Sequence, residues 1–386
     1  MPIHFSEDEL AGRRARACAG MQARGLDGLL VFKQESLYWL TGFDTFGYVY
    51  FQCLYLAADG RMTLLTRAPD LRQARFTSVV EDVRVWVDRE GVQPVDDLKP
   101  ILEEHGARGG RIGVEWHAYG LTAREGFRLK EGLDGWCATE DASDLVSRLR
   151  LVKSPAELDY VRMAAQLADR SYDAAVALAA PGTYEGDILA EMQGVVFRGG
   201  GDDPANETII GSGPGALMCR YFTGRRHLDA DDQLTLEFAG VYRHYHAALM
   251  RTIRIGRPPR EQVAMHDAAL ESLAAAKHAL IPGRPIGDVF DAHARALDEH
   301  GFRKARMNAC GYALGATYAP NWMDFPEGSM FFHGNPTVAE PDMVFFIHII
   351  LFDSDRGLAM TSGQTVVVTD TGCEPLTRAP LELVVK

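Results

Sequence analysis

The sequence predicts two domains in series, an α/β N-terminal domain over residues 1–148 and an α+β domain over residues 149–386. Three observations carry this expectation. The first part alternates helix-period and strand-period segments. Ser154-Pro155 then supplies an N-cap and a first-turn proline at the head of a long helical stretch, with Glu157 at capping-box spacing. Beyond it, four strand-like runs (QLTLEFAG, HAALMRTIRIG, MVFFIHIILF and QTVVVTD) sit among two long helical stretches, at 151–179 and about 260–280. That order suits helices grouped on one face of a curved antiparallel sheet.

The elements follow from local pattern. Residues 7–25 have an amphipathic helix period that stops at Gly25. LDGLLVF is a short apolar run of strand length, and YVYFQCLYLAADGRMTLLT reads as two strands joined at Asp59-Gly60. GRIGVEW adds a further strand, followed by a helical segment after Thr122.

Bulk composition narrows the partners. The chain has 386 residues, 47% hydrophobic and 24% charged, which suffices for two cores. Its formal charge of -13 opposes nucleic acid or an anionic membrane as the main partner, since both need a basic face. A small molecule is the expected partner, with no nucleic acid and no membrane. The six cysteines are scattered without CxxC spacing and read as free thiols. MPIHFSEDEL carries neither a basic nor an apolar leader segment, so a cytoplasmic location is expected.

Several stretches, taken together, resemble one family. LRLVKSPAELDYVRMAA, IIGSGPGALMCRYFTGRRHLDADDQLTLEFAGVYRHYHAALMRTIRIG, CGYALG, PDMVFFIHIILF and GQTVVVTDTG fall in the order and spacing of the pita-bread (prolidase, aminopeptidase P, creatinase) superfamily. SLYWLTGFD is similar to its creatinase-type N-terminal domain. The resemblance spans nearly the whole chain and implies a creatinase/aminopeptidase-like pita-bread catalytic domain at the C-terminal end. It also implies a homodimer, in which Phe43, Tyr48 and Tyr50 would reach a partner's pocket.

The departures from that family are informative. Its metal-dependent members hold two divalent ions with two Asp, a His and two Glu. The resemblance places Glu237, Ala248, Tyr312, His348 and Gly363 at those positions. Two remaining ligands cannot offset the charge of a dinuclear hard-metal site. No metal and no other cofactor is therefore expected, as in the metal-independent branch that includes ectoine hydrolase and creatinase.

Strand alternation puts His244, His246 and Ala248 on one face, toward Glu237. Glu237, His246 and His348 are the candidate catalytic set, since a carboxylate and imidazoles can activate water and move a proton to a leaving nitrogen. Glu237 could instead attack directly, or pair with an arginine as scaffolding. Arg220 would clamp a substrate carboxylate or bridge to an acid. His244, Tyr312, Asn321, Trp322, Asp324 and His333 complete the candidate substrate contacts, the last four from a loop whose composition suits ligand binding or its own packing. GDDPANE, residues 201–207, reads as a polar turn near the same region.

The expected function is metal-independent hydrolysis of a C–N bond in a small nitrogen-rich zwitterion. The alternatives are a metal-dependent Xaa-Pro dipeptidase or aminopeptidase, a non-catalytic binding member of the fold, and a C–S lyase.

Overall fold

The computed structural model describes residues 3–220 and 225–386. The chain divides after Arg150 into two compact units.

The first unit runs α1 (Glu7–Arg24), β1 (Gly28–Val31), α2 (Gln34–Thr41), β2 (Cys53–Ala57), β3 (Met62–Arg67), α3 (Leu71–Thr77), β4 (Asp82–Trp86), α4 (Pro94–Glu104), β5 (Arg111–Val114), α5 (Ala123–Leu133), β6 (Ala138–Asp141) and α6 (Leu145–Leu151). Ser6 caps α1 by accepting from Glu9 N, and Gly25 ends it at φ 66°. The strands form one mixed sheet in the order β4-β3-β2-β1-β5-β6. Alternation along β1 splits the apolar residues between two cores. Leu29 and Val31 pack with Ala17 and Met21 of α1, while Leu30 packs with Leu98 of α4 and Leu129 of α5. Phe43 is fully buried in the first of these cores. The strand expected from Tyr48 starts later, at Cys53, because Gly47–Val49 form a 3-10 turn.

The second unit comprises α7 (Pro155–Leu178), α8 (Glu185–Arg198), β7 (Ile209–Ser212), β8 (Asp232–Tyr242), β9 (Tyr245–Ile255), α9 (Arg260–Ala279), α10 (Gly287–Glu299), β10 (Gly311–Ala313), α11 (Pro326–Ser329), β11 (Val344–Asp353), β12 (Leu358–Val368), β13 (Cys373–Pro375) and β14 (Val384–Val385). The helix expected from residue 151 starts at Pro155. Ser154 and Glu157 form a reciprocal capping box there, and the preceding residues end α6. The sheet order is β10-β11-β12-β9-β8-β7, with β13 beside β12 and β14 beside β9.

Helices cover one face of this sheet. Leu234, Leu236, Phe238, Leu249 and Ile253 pack under α7 and α8, and Phe345, Ile347, Ile349, Leu351 and Met360 under α9 and α10. At Gly240 the backbone of α7 lies so close that a Cβ would stand 2.1 Å from Ala164 O, so only glycine permits this approach. The intervening residues of each strand point to the opposite face. Among the described residues, no helix is long and apolar enough to cross a membrane.

Candidate active site

Cross-strand pairing builds the site. Glu237 on β8 lies opposite Met250 on β9, Met250 opposite Gly363 on β12, and Gly363 opposite His348 on β11. Two residues along, Ala239 pairs with Ala248, and Tyr312 on β10 with Phe346. Directly paired residues project to the same face. Glu237, Ala248, Tyr312, His348 and Gly363 therefore share the face away from the helices.

That face is concave. β10 stands three strands from β9 in the sheet order, yet the chain leaving β10 bonds directly to the start of β9. His246 N donates to Gly315 O at 3.2 Å and Thr317 N to His244 O at 3.1 Å. Three strand spacings in a flat sheet would be about 14 Å, so the sheet must curl. Curling lets the Tyr312 hydroxyl reach Glu237 Oε1 at 3.4 Å. Trp322 Nε1 in turn donates to the Tyr312 hydroxyl at 2.7 Å.

Burial sets the electrostatics. It pushes the Glu237 carboxyl up to about 7, while the Arg220 charge and the Tyr312 hydroxyl pull it down. The Tyr312 phenol rises well above its ordinary range through burial and then through Glu237. His348 falls to about 4 mainly through burial, with the Arg220 charge acting in the same direction. Its ring packs 5.4 Å from the rings of both Tyr312 and Phe346. Its Nδ1 is buried and has no hydrogen-bond partner among the described residues. A carboxyl that titrates near neutrality thus shares one surface with a neutral imidazole that has an unused nitrogen. Arg220 is exposed on the segment after β7.

Other sequence candidates fall elsewhere. His244 is not on the strand. With Arg243 it forms the two-residue β8–β9 turn, both at positive φ, and its ring stacks on Tyr318 at 4.3 Å. His246 does share the strand face, but both ring nitrogens are committed. Nε2 accepts from Ala205 N at 2.9 Å, and Nδ1 lies 2.8 Å from His244 O and 3.2 Å from Thr317 Oγ1. Burial lowers it to about 3. It is a neutral cross-link between loops, so the catalytic role expected for it is withdrawn. Asp324 also leaves the candidate set: it forms a buried 3.2 Å ion pair with Lys153. His333 stands on the helix-covered side, exposed and 2.8 Å from Asp291 of α10. Asn321 shapes its loop by accepting from Met323 N. In the first unit, burial removes Phe43 from contact with any ligand, Tyr48 is largely buried, and exposed Tyr50 stacks under Arg67 at 4.2 Å.

Sequence reasoning missed Lys153, Phe346 and Asn206. Asn206 Oδ1 accepts from Trp322 N at 3.0 Å, so the polar turn at 201–207 is bound to the aromatic loop. The Pro-Ala-Asn composition of that turn was its one signal. Two surface cavities, about 530 and 680 Å³, open along α9 and α10 and contain none of the candidate residues.

A dinuclear metal centre does not fit this donor set. Among the described residues, no three His, Cys, Asp or Glu side chains gather as a metal cage requires. Ala248 and Gly363 offer no ligand atom, and a side chain at Gly363 would meet Phe346 Cε2 at 2.7 Å and Met250 Cβ at 3.1 Å.

The architecture is that of a pita-bread hydrolase behind a creatinase-type N-terminal domain. The chain belongs to metallopeptidase family M24, whose pattern matches residues 159–370, and the creatinase/prolidase N-terminal domain matches residues 13–152. It is 30% identical to an ectoine hydrolase of Halomonas elongata, over 100% of this chain and 99% of that one. An uncharacterised hydrolase/peptidase of Sinorhizobium fredii is also 30% identical, over 100% and 99%. An Xaa-Pro dipeptidase of Pyrococcus furiosus is 22% identical, over 94% and 97%. Among solved structures, the dipeptidase PepE of Mycobacterium ulcerans superposes with a TM-score of 0.84 at 25% identity, over 99% of both chains. A prolidase of Thermococcus sibiricus, at 20% identity, gives 0.86 over 99% and 100% and shares the fold.

Proposed function

We propose that the chain hydrolyses a C–N bond of a small, nitrogen-rich zwitterion, such as a cyclic amidine acid of the ectoine kind, without a metal. The observation that carries this reading is one surface on which a carboxyl near neutrality and a neutral imidazole whose Nδ1 lacks a partner among the described residues stand where the other matched positions hold Ala248, Tyr312 and Gly363. Near pH 7 a group such as Glu237 populates both protonation states, which suits it to take and return a proton. In the proposed cycle Glu237 takes a proton from water as the new C–O bond forms. It gives that proton to the departing nitrogen as the C–N bond breaks. The His348 ring supplies a hydrogen bond to the substrate, and Arg220 attracts its carboxylate. The relation to an ectoine hydrolase supports the substrate class.

The dipeptidase neighbours favour a second reading, Xaa-Pro peptide hydrolysis with added metal. Turnover of ectoine, creatine and Xaa-Pro dipeptides by chelator-dialysed protein, with elemental analysis in parallel, separates the two. Metal-free hydrolysis of ectoine or another small C–N substrate is the expected result. Activity confined to Xaa-Pro peptides plus metal would overturn it.

A further inference from the structure

The hydrogen bond from Trp322 to Tyr312 has a direction that the chemistry of the two groups dictates. An indole N–H can only donate, so the Tyr312 oxygen must accept from it. With that lone pair engaged, the one hydroxyl proton of Tyr312 is left to point onward, and Glu237 Oε1 is the acceptor it meets, 3.4 Å away. Trp322 is itself held from three sides. Its backbone N donates to Asn206 Oδ1, its carbonyl accepts from Thr317 Oγ1 at 3.3 Å, and its ring lies 6.4 Å from that of His246. His246 is pinned by Ala205 N of the same 201–207 turn.

We propose that Trp322 is a positioning residue: it fixes the Tyr312 hydroxyl as a donor to Glu237, and the turn carrying Asn206 fixes Trp322. This rests on the reading of Glu237 as the working carboxyl, although the geometry exists whatever the substrate. Among the described residues, the groups facing Glu237 are few. Arg220 and Cys219 approach from the segment after β7, and Tyr312 from β10. His348 and Phe346 flank Tyr312 from β11. Arg220 also favours the ionised carboxylate, so the tyrosine contribution must be read by difference.

The test is an infrared titration of the Glu237 carboxyl in the purified full chain, with the band assigned by its loss in Glu237→Gln. Tyr312→Phe removes the donor and should move the titration upward by about one pH unit. Trp322→Phe keeps an aromatic ring, removes the N–H, and should move it upward by about half to one unit. The double variant should shift no further than Tyr312→Phe alone, because Trp322 acts through the hydroxyl. An unmoved titration in Trp322→Phe, or a shift that adds in full to that of Tyr312→Phe, would overturn the proposal. If Trp322→Phe fails to fold, Asn206→Ala takes its place with a smaller upward shift expected, and no shift there is equally fatal. The band is read without turnover. Loss of the C–N hydrolase reading would show as normal titrations in a protein inactive on every substrate, which leaves the positioning role standing.

Discussion

Replacing Glu237 by glutamine should change how stability depends on pH, and the buried position sets the sign and size of the effect. The carboxyl lies at about 7 in the folded chain against an ordinary 4.5. A raised carboxyl is held more tightly as the acid in the native state than in the unfolded one. Below pH 4.5 both states carry the proton and Glu237 costs nothing. Between 4.5 and 7 the unfolded chain ionises first, and stability falls by about 1.4 kcal/mol per unit, roughly 3 kcal/mol in all. His348 runs the other way. Its depressed value of about 4, against 6.5, means that stability rises as pH climbs through that interval, by a similar roughly 3 kcal/mol. These two contributions oppose each other, and buried His246 and His293, each lowered to about 3, add further rises with pH, so the parent's own profile isolates none of them. Denaturant melts of parent and Glu237→Gln from pH 5 to 8.5 isolate the carboxyl's share. The variant should gain on the parent as pH rises, with the difference levelling off above pH 7. A difference that is flat across the range would refute the buried, neutral-range carboxyl on which the proposed chemistry depends.

Three further outcomes are expected. His348→Asn should lower turnover by about 10²-fold or more with melting little changed. His246→Leu, which strands the Ala205 N–H, should cost about 2–4 kcal/mol of stability and leave the acid limb of the pH–rate profile in place. Either Lys153→Met or Asp324→Leu alone should destabilise by about 3–5 kcal/mol through a stranded buried charge, while the double variant recovers most of the loss in the same melts.

The strands of the second domain were legible because their apolar runs are long, and two-residue alternation then fixed which side chains accompany Glu237. The same alternation failed at His244. Arg243-His244 lacks the Gly, Asn or Asp that marks a tight hairpin, so the turn left no local signal, and the strand pattern was carried one residue too far into it. Asp324 could not be read at all. Its partner Lys153 lies 171 residues away, and no periodicity reports a contact of that span. Trp322 was recognised as belonging near the site, but composition showed a ring surface where the structure uses the N–H. His246 illustrates a limit of another kind. Its face was read correctly, but only backbone groups of two separate loops reveal that the ring is already fully occupied.

The packing around Gly363 bears on whether a ligand could be engineered into this face. Phe346 and Met250 now occupy the volume that a side chain at 363 would need. A single change of that glycine to glutamate would drive a carboxylate into an aromatic ring before it could meet any cation. A carboxylate at 363 would need room made at Phe346 first. The position is closed to a larger side chain by its neighbours as well as by the glycine itself.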